Sequence, residues 1–194
     1  VTLRNDSQYD RKLSVTGYVA WVLGEIRSKN AMHVVTELSQ SGALFAQNYY
    51  NTDFGERTAF FDATTVHLNL TQRTVTGDRI EFLGRNGSQK NPAALKRKRL
   101  SGRVGAGLDP CGAIQLSFDL AQGQSREIVF ILGAGEDKVD AELLVQRFST
   151  QIAAQSARAS TREFWQQKLK KIHVTTPDPA VNLLSNGWLL YQVL

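Results

Sequence analysis

The sequence predicts a mainly β fold, an antiparallel sandwich followed by helices, and two observations support this prediction. From residue 1 to about residue 135, apolar and polar side chains alternate in short runs that are separated by turn residues. Such alternation is typical of antiparallel strands that bury one face. After the Gly-Ala-Gly at 133–135, the spacing of apolar residues changes to that of a helix. The predicted order is therefore a sheet region, a helical connector and the start of a second helical region.

The longest predicted strand covers residues 12–23 and follows a turn at residues 5–7. Shorter runs with the same alternation predict strands at Val34–Leu38, Leu44–Asn48, 58–62 and 114–120. A hairpin turn at 121–124 leads into a strand at 125–132, whose second half is wholly apolar and is predicted to be buried on both faces. Several long strands joined by long loops favour a sandwich.

Two helices are predicted after residue 135. The first covers residues 139–148, and the second covers residues 160–172, with Ser160 or Thr161 as its N-cap. The apolar residues that define these helices are Leu143, Leu144 and Phe148 in the first and Phe164, Trp165, Leu169 and Ile172 in the second. Lysines near the end of the second helix suit the negative end of its dipole.

A third helix is predicted near the end of the sequence. Asp178 is suited to the N-cap position and Pro179 to the first helical position. The apolar residues that follow at helical spacing are Val181, Leu184, Trp188 and Tyr191. No capping residue follows them, so we expect the helix to continue beyond Leu194 and the chain to be a piece of a larger protein.

The composition indicates a globular chain, with 42% hydrophobic residues and a formal net charge of +5. Much of the basic excess lies in Lys90 and residues 96–99. Such a cluster can bind nucleic acid or an acidic membrane surface. Without interleaved aromatic residues or a nucleic-acid-binding motif, a solvated loop is the favoured interpretation, and no nucleic-acid partner is expected. The single cysteine, Cys111, excludes an internal disulfide framework and suits a reducing compartment.

Several kinds of chemical site lack sequence support. The glycines at 102–107 have the spacing of neither a dinucleotide fingerprint nor a P-loop, so they predict a loop with positive backbone φ angles rather than a cofactor site. His33, His67 and His173 are scattered and do not predict a metal site. No Gly-x-Ser-x-Gly elbow is present. We therefore predict no catalytic, cofactor-binding or metal-binding residue.

The segment with the most functional character is 77–88, which we expect to be a long loop. Its candidate site residues are Phe82, Gly84, Arg85 and Asn86. An aromatic ring beside a guanidinium and an amide suits stacking on a sugar and hydrogen bonding to it. The alternative is a loop that docks against a neighbouring domain through the same groups.

Three segments taken together, 77–88, 100–111 and 177–192, resemble glycoside hydrolase family 94, formerly glycosyltransferase family 36. Residues 18–24 and 48–51 add to the resemblance, which covers nearly the whole chain in order. Within the family, the chain is most similar to the C-terminal, phosphorylase-like region of bacterial cyclic β-1,2-glucan synthases.

The resemblance implies a fold and a division of the chain. It implies that residues 1–135 are the later part of a galactose mutarotase-like β super-sandwich and that residues 136–173 are a helical linker. Residues 174–194 would then be the first helix of an (α/α)6 barrel. In family members a carboxylic acid of the barrel protonates the glycosidic oxygen while inorganic phosphate, the co-substrate, attacks the sugar. That acid lies beyond Leu194 in the family pattern, so we expect this chain to lack catalytic activity and to need no cofactor.

The resemblance also implies a function. The chain is expected to be a carbohydrate-associated, non-catalytic fragment of a bacterial glycosyltransferase or glycoside phosphorylase that acts on β-glucan. The alternative is a structural role, in which sandwich and linker brace the barrel and mediate dimerisation without contacting sugar. Expected partners are a β-glucan or oligosaccharide, the remaining sandwich and barrel segments, and a second copy in a homodimer. The expected location is the cytoplasm, with the parent an inner-membrane protein that carries this region on its cytoplasmic side.

Overall fold

A computed structural model describes residues 1–65, 70–170 and 173–192. His67 and Ile172, which were considered above, lie outside these residues. The chain divides into two compact units, Val1–Gln151 and Ile152–Leu194. The first unit contains the strands, and the second contains most of the helical residues.

The strands of the described residues form two antiparallel sheets, as the sequence predicts. They are β1 (Thr2–Arg4), β2 (Arg11–Ala20), β3 (Val34–Leu38), β4 (Leu44–Asn48), β5 (Thr58–Thr65), β6 (Leu70–Asp78), β7 (Pro110–Leu120) and β8 (Ser125–Gly135). The five-stranded sheet has the order β1-β8-β5-β4-β3, and the three-stranded sheet has the order β2-β7-β6. Strands β3 and β4 have the predicted bounds, whereas β5 and β7 are longer than predicted.

The main hydrophobic core lies between the two sheets. Leu44 and Ile128 of the larger sheet and Ile114, Leu116 and Phe118 of the smaller one are almost fully buried in one cluster. Burying side chains of this size stabilises a fold by about 1.5–3 kcal/mol each. The alternating pattern in the sequence therefore corresponds to an inner face that packs against the opposite sheet, which confirms the sandwich.

Short helices cover the outer faces of both sheets. Helix α1 (Arg27–Asn30) continues into a 3-10 helix, Ala31–His33. Helix α2 (Arg79–Leu83) and the 3-10 helix Ala93–Lys96 contribute buried side chains to a cluster with β7 residues of the three-stranded sheet. Helix α3 (Lys138–Phe148) packs on the five-stranded sheet. The first unit is therefore a sandwich with a helical layer on each outer face.

The glycine-rich segment covers exposed strand edges. The amide of Gly102 donates to the carbonyl of Val75 at 2.8 Å, on the free edge of β6. Three residues further on, the carbonyl of Gly105 accepts from the amide of Thr36 at 3.2 Å, on the free edge of β3. Gly102, Gly105 and Gly107 have positive φ, which confirms the predicted loop. The segment thus satisfies edge groups that could otherwise pair with another chain.

The second unit consists of helices. Its first helix is α4 (Gln151–Leu169), of which only Gln151 belongs to the first unit. Further along the chain follow α5 (Pro179–Leu183), a π-helical turn (Leu184–Trp188) and α6 (Leu189–Gln192). The Asp178 carboxylate accepts from the amide of Ala180 at 2.8 Å, which confirms the predicted N-cap. The side-chain amide of Asn186 accepts from the amide of Val174 at 2.7 Å and donates to its carbonyl at 2.8 Å.

Several predictions about the elements are wrong. Residues 77–88 are not one long loop, because residues 79–83 form α2, and β1 and β6 were not predicted. The longest predicted strand ends early, with β2 stopping at Ala20. Helix α4 begins nine residues before the predicted cap, because residues 151–159 are rich in alanine, the strongest helix former. The last helix, by contrast, is helical from Pro179 to Gln192 as predicted, with one π-helical turn inside it.

The burial predicted for the second half of β8 is also wrong in part. Ile128 is fully buried, but the side chain of Leu132 is 61% exposed. The two residues point to the same face of the sheet, toward the main core. The opposing sheet has three strands and the sheet of β8 has five, so the smaller sheet does not cover the whole face.

Candidate functional site

Two surface regions lie at the same end of the sandwich and are candidates for function. The α2 corner comprises residues 76–87 and the crossing segment 97–109, between the end of β6 and the start of β7. The β4–β5 loop comprises residues 49–57. The side-chain amide of Asn48 donates to the carbonyl of Leu23 at 2.8 Å and so joins the end of β4 to the chain after β2. Because the end of β2 pairs with the start of β7, the two regions share one end of the molecule.

The structure separates the four predicted site residues. Phe82 is 4% exposed, and its ring stacks on that of Tyr18 with 4.5 Å between the centroids. It therefore belongs to the hydrophobic cluster under α2 and has no free ring face for a sugar. Gly84 ends α2 with a φ of 91°. Arg85 and Asn86 follow it on the exposed surface, where a ligand could contact them.

A partly buried carboxylate, Glu81, holds the crossing segment on the α2 corner. It accepts a 2.6 Å hydrogen bond from the Thr76 hydroxyl and a 2.9 Å bond from the Ser101 amide, and the Ser101 hydroxyl also donates to it. Arg97 adds an ion pair at 3.6 Å. Burial by itself would raise the pKa of Glu81, but these hydrogen bonds and the nearby charge outweigh it and hold the pKa below its ordinary value.

The other acidic groups of the corner are also paired. Asp109 binds Arg27, and its second carboxylate oxygen accepts from Arg79 at 3.0 Å. Burial opposes ionisation of Asp109, but the two guanidinium groups outweigh it, so the pKa lies below its usual value. Asp78 pairs with Arg103 at 3.1 Å and caps α2 through a 2.9 Å bond from the amide of Ile80.

This pairing limits the chemistry of the α2 corner. A general acid must be protonated near neutral pH, whereas the lowered pKa values of Glu81 and Asp109 keep both ionised. The nearby Cys111 is fully buried, and burial raises the pKa of its thiol to about 12, so it is not a thiolate nucleophile at neutral pH. The groups of this corner maintain its shape.

The β4–β5 loop instead exposes its aromatic side chains. Tyr50 is 74% exposed and Phe54 is 56% exposed. One side of the Tyr50 ring stacks on His33 with 4.3 Å between the centroids. The backbone of the loop is held by Asn51, whose side-chain oxygen accepts from the amides of Asp53 at 3.0 Å and Phe54 at 2.9 Å. The asparagine fixes the turn while the rings face outward.

A hollow of about 660 Å³ lies against this loop. Its lining residues are Gln47, Tyr49, Asn51, Thr52, Asp53, Phe54, Gly55, Glu56, Arg57 and Glu136. Gln47 is 8% exposed, and its amide nitrogen donates to the carbonyl of Gly55 at 2.7 Å. Its amide oxygen is buried and accepts no hydrogen bond from the residues that the structure describes. A buried acceptor left unsatisfied costs about 1–3 kcal/mol.

The sequence analysis did not select this hollow as a site. The signal that could have indicated it is the run of amide and aromatic residues from Asn48 to Phe54. In this run, residues that stabilise turns are mixed with aromatic residues that fall outside the predicted strands.

The described residues lack two further features. In those parts of the chain, no group of three or more histidine, cysteine, aspartate or glutamate side chains is arranged to hold a metal ion. Over the same residues, the helices are too short or too polar to cross a membrane.

A family model and individual relatives of known name indicate the same family for this chain. Residues 1–151 match the model of the glycosyl hydrolase 94 supersandwich domain. The whole chain is 36% identical to part of the cyclic beta-(1,2)-glucan synthase NdvB of Rhizobium meliloti (strain 1021) and covers 7% of that protein. Over 99% of the chain it is 30% identical to the N,N'-diacetylchitobiose phosphorylase of Vibrio furnissii, and over 100% it is 22% identical to the cellobionic acid phosphorylase of Neurospora crassa.

The chain spans about a quarter of the length of these two phosphorylases, 24% in each case. The match to the supersandwich model agrees with the fold, because residues 1–151 are also the first compact unit, with its two packed sheets and the helix α3. The chain therefore belongs to glycoside hydrolase family 94, and its residues 1–151 form the supersandwich domain of that family.

Proposed function

We propose that this chain is the carbohydrate-associated, non-catalytic part of a bacterial enzyme that synthesises or phosphorolyses β-glucan, and that the hollow beside the β4–β5 loop contacts the sugar. The relatives named above include a glucan synthase and phosphorylases of disaccharide-sized substrates. The observation that carries the proposal is the hollow itself, where the exposed rings of Tyr49 and Phe54 lie among polar side chains.

The chemistry of a β-glucan suits this hollow. A pyranose ring presents apolar C–H faces, which pack on aromatic rings, and a rim of hydroxyl groups, which donate and accept hydrogen bonds. Phe54 and Tyr49 supply rings, and Asn51, Asp53 and Arg57 supply polar groups around them. A volume of about 660 Å³ lies within the usual range for small-ligand sites.

The proposal extends to the whole protein. Its substrate would be a β-glucan, with β-1,2 linkages as in the product named for the synthase relative. Inorganic phosphate would be the co-substrate, and the general acid would lie outside this chain. The cytoplasmic location and the self-association predicted from the resemblance belong to the same proposal.

The second candidate is a purely structural role, in which the sandwich and helices brace the rest of the protein without contacting sugar. It is favoured by large apolar side chains that are exposed in the second unit, where further segments could cover them. Among these side chains are Leu183, Leu184, Trp188 and Leu189.

Titration of the chain with β-1,2-linked glucan oligosaccharides, followed by backbone amide shifts, separates these roles. We expect shifts at residues 47–57. Shifts confined to residues 77–88 would instead assign the sugar contact to Arg85 and Asn86. The absence of shifts at saturating sugar would favour the purely structural role. Release of sugar phosphate by this chain alone would contradict the non-catalytic assignment.

A pair of matched variants tests the contact at the level of one ring. Phe54→Ala should weaken sugar binding about tenfold, because it removes a stacking surface. Tyr9→Ala removes a more exposed ring, 69% against 56% for Phe54, that lies outside the hollow, and it should leave the affinity unchanged. Equal losses in the two variants would argue against a site at the β4–β5 loop.

A further inference from the structure

The positive charge of this chain is concentrated in one segment, residues 79–103, which we call the basic patch. It holds eight of the 23 basic residues and one of the 18 acidic residues, Glu81. The rest of the chain therefore has more acidic than basic side chains. The positive net charge of the chain therefore arises entirely from this patch.

Most of the cations in the basic patch are not used to hold the fold. Arg79, Arg97 and Arg103 pair with acidic residues of the α2 corner. The other five make no ion pair within residues 1–65, 70–170 and 173–192, and all five are exposed: Arg85, Lys90, Lys96, Lys98 and Arg99. Repulsion among neighbouring like charges opposes the compact state, so an anionic partner would stabilise this surface.

Three neighbouring cations of the basic patch, Arg97, Lys98 and Arg99, line surface hollows. Residues 97–99 follow the 3-10 helix Ala93–Lys96 and line two surface hollows, of about 640 Å³ and 420 Å³. Arg97 lines both hollows, Arg99 lines the first, and Lys98 lines the second together with Lys12. The amide of Leu100 donates to the Thr74 hydroxyl at 3.0 Å and anchors the end of this stretch to β6.

Exposed apolar side chains accompany the charges. Helix α2 and the 3-10 helix Ala93–Lys96 both contribute to the hydrophobic cluster under the corner, and each also exposes one large apolar side chain. These are Ile80, which is 55% exposed, and Leu95, which is 56% exposed and directly precedes the run of cations. Basic residues next to isolated apolar residues are the combination that binds at the interface of an anionic bilayer.

We propose that the basic patch docks on the surface of a membrane that contains anionic phospholipids, with Lys96, Lys98 and Arg99 contacting headgroup phosphates and Leu95 entering the interface. Nucleic acid fits less well. Phe82 is the only aromatic residue of the patch and is buried, so no ring can stack on a base. The helices of the patch have five and four residues, too few to fill a DNA groove.

Co-sedimentation of the whole chain with vesicles tests this proposal. Binding is expected to vesicles that contain phosphatidylglycerol, to be absent with pure phosphatidylcholine, and to fall as salt is raised. The variant K96Q/K98Q/R99Q should bind the anionic vesicles about 100-fold more weakly. The matched control R158Q/R162Q/K170Q removes three exposed cations of the helical unit and should bind as the unchanged chain does.

Further measurements test the role of Leu95 and the identity of the partner. Leu95→Ser should weaken vesicle binding several-fold without changing the salt dependence, because it removes no charge. Equal losses in the two charge variants would show a nonspecific effect of net charge and overturn the docking site. Tighter binding to duplex DNA than to anionic vesicles at the same salt concentration would overturn the proposal and identify nucleic acid as the partner of the basic patch. Circular dichroism of every variant identifies any that fails to fold.

Discussion

The α2 corner and the β4–β5 loop have similar residue composition but differ in which side chains they expose. Both are turn-rich, both lie at the same end of the sandwich, and both combine a phenylalanine with arginine, asparagine and acidic residues. The corner buries Phe82 and pairs its carboxylates internally, whereas the loop exposes Phe54 and leaves an acceptor of Gln47 unsatisfied. The composition of a loop therefore does not show whether its groups are available to a ligand.

The difference arises from what lies beneath each segment. Helix α2 is capped by Asp78 and lies over the outer face of the three-stranded sheet, so Phe82 and Leu83 turn onto that face. The β4–β5 loop connects neighbouring strands at the end of a sheet, and its asparagine-stabilised turn has no apolar face to cover. Aromatic rings in that position remain in solvent.

The largest expected effect that tests this comparison is on core packing. Phe82→Ala should lower the free energy of unfolding by about 3–5 kcal/mol, because it removes a buried ring and leaves a cavity beside Tyr18. Phe54→Ala, the matched change in the loop, should lower it by less than about 1 kcal/mol. Urea unfolding of both variants measures the difference. Similar losses would mean that the two phenylalanines share one kind of environment.

A smaller effect is expected from the anchoring carboxylate. Glu81→Gln should destabilise the chain by about 1.5–3 kcal/mol, because it removes charge-assisted hydrogen bonds with Ser101 and Thr76. The exposed Glu56 of the loop is the control, and Glu56→Gln should change stability by less than about 0.5 kcal/mol.

The Glu81→Gln variant should also change how the free energy of unfolding depends on pH. The folded pKa of Glu81 lies below its unfolded value of about 4.3, so its contribution is complete above that pH and is lost as pH falls through the folded pKa. The unchanged chain should thus lose stability between about pH 5 and pH 3 more steeply than Glu81→Gln does. Parallel curves would show that Glu81 is not the group that titrates.

The smallest expected effect is at the exposed end of the corner. Arg85→Ala should change the free energy of unfolding by no more than about 0.5 kcal/mol, since Arg85 is exposed and makes no ion pair with described residues. In the whole protein proposed above, the same change should weaken activity or dimerisation if Arg85 contacts the sugar or a second copy. Assays of both properties measure this, and an enzyme unchanged in each would remove Arg85 from the candidate site.

Much of the fold could be predicted from particular residues. Alternation in β3 and β4 located both strands to the residue, and the Asp178-Pro179 pair located the start of α5. The start of α4 was misplaced, because Ser160 and Thr161 resemble a cap although the helix runs through them, and the Thr161 hydroxyl donates to the Ala157 carbonyl within it. Local cap signals are ambiguous where a strong helix-forming stretch precedes them.

For the candidate site, the sequence predicted a set of residues but not which of them are exposed. It assigned a sugar contact to Phe82, Gly84, Arg85 and Asn86; the structure buries Phe82 and leaves Arg85 and Asn86 exposed, and the contact stays a prediction. Helix α2 is only five residues long, too short for a helical period to be recognised, so the burial of Phe82 could not be read from the pattern.

The sequence by itself determined the antiparallel sandwich, the change to helices after the strands and the membership in family 94, because these depend on patterns that extend over many residues. Only the tertiary structure decided which loop keeps its aromatic side chains exposed, which carboxylates are neutralised internally, and which cations remain unpaired. Those outcomes depend on the sheet face and the charges that folding brings near each side chain, from residues distant in the chain.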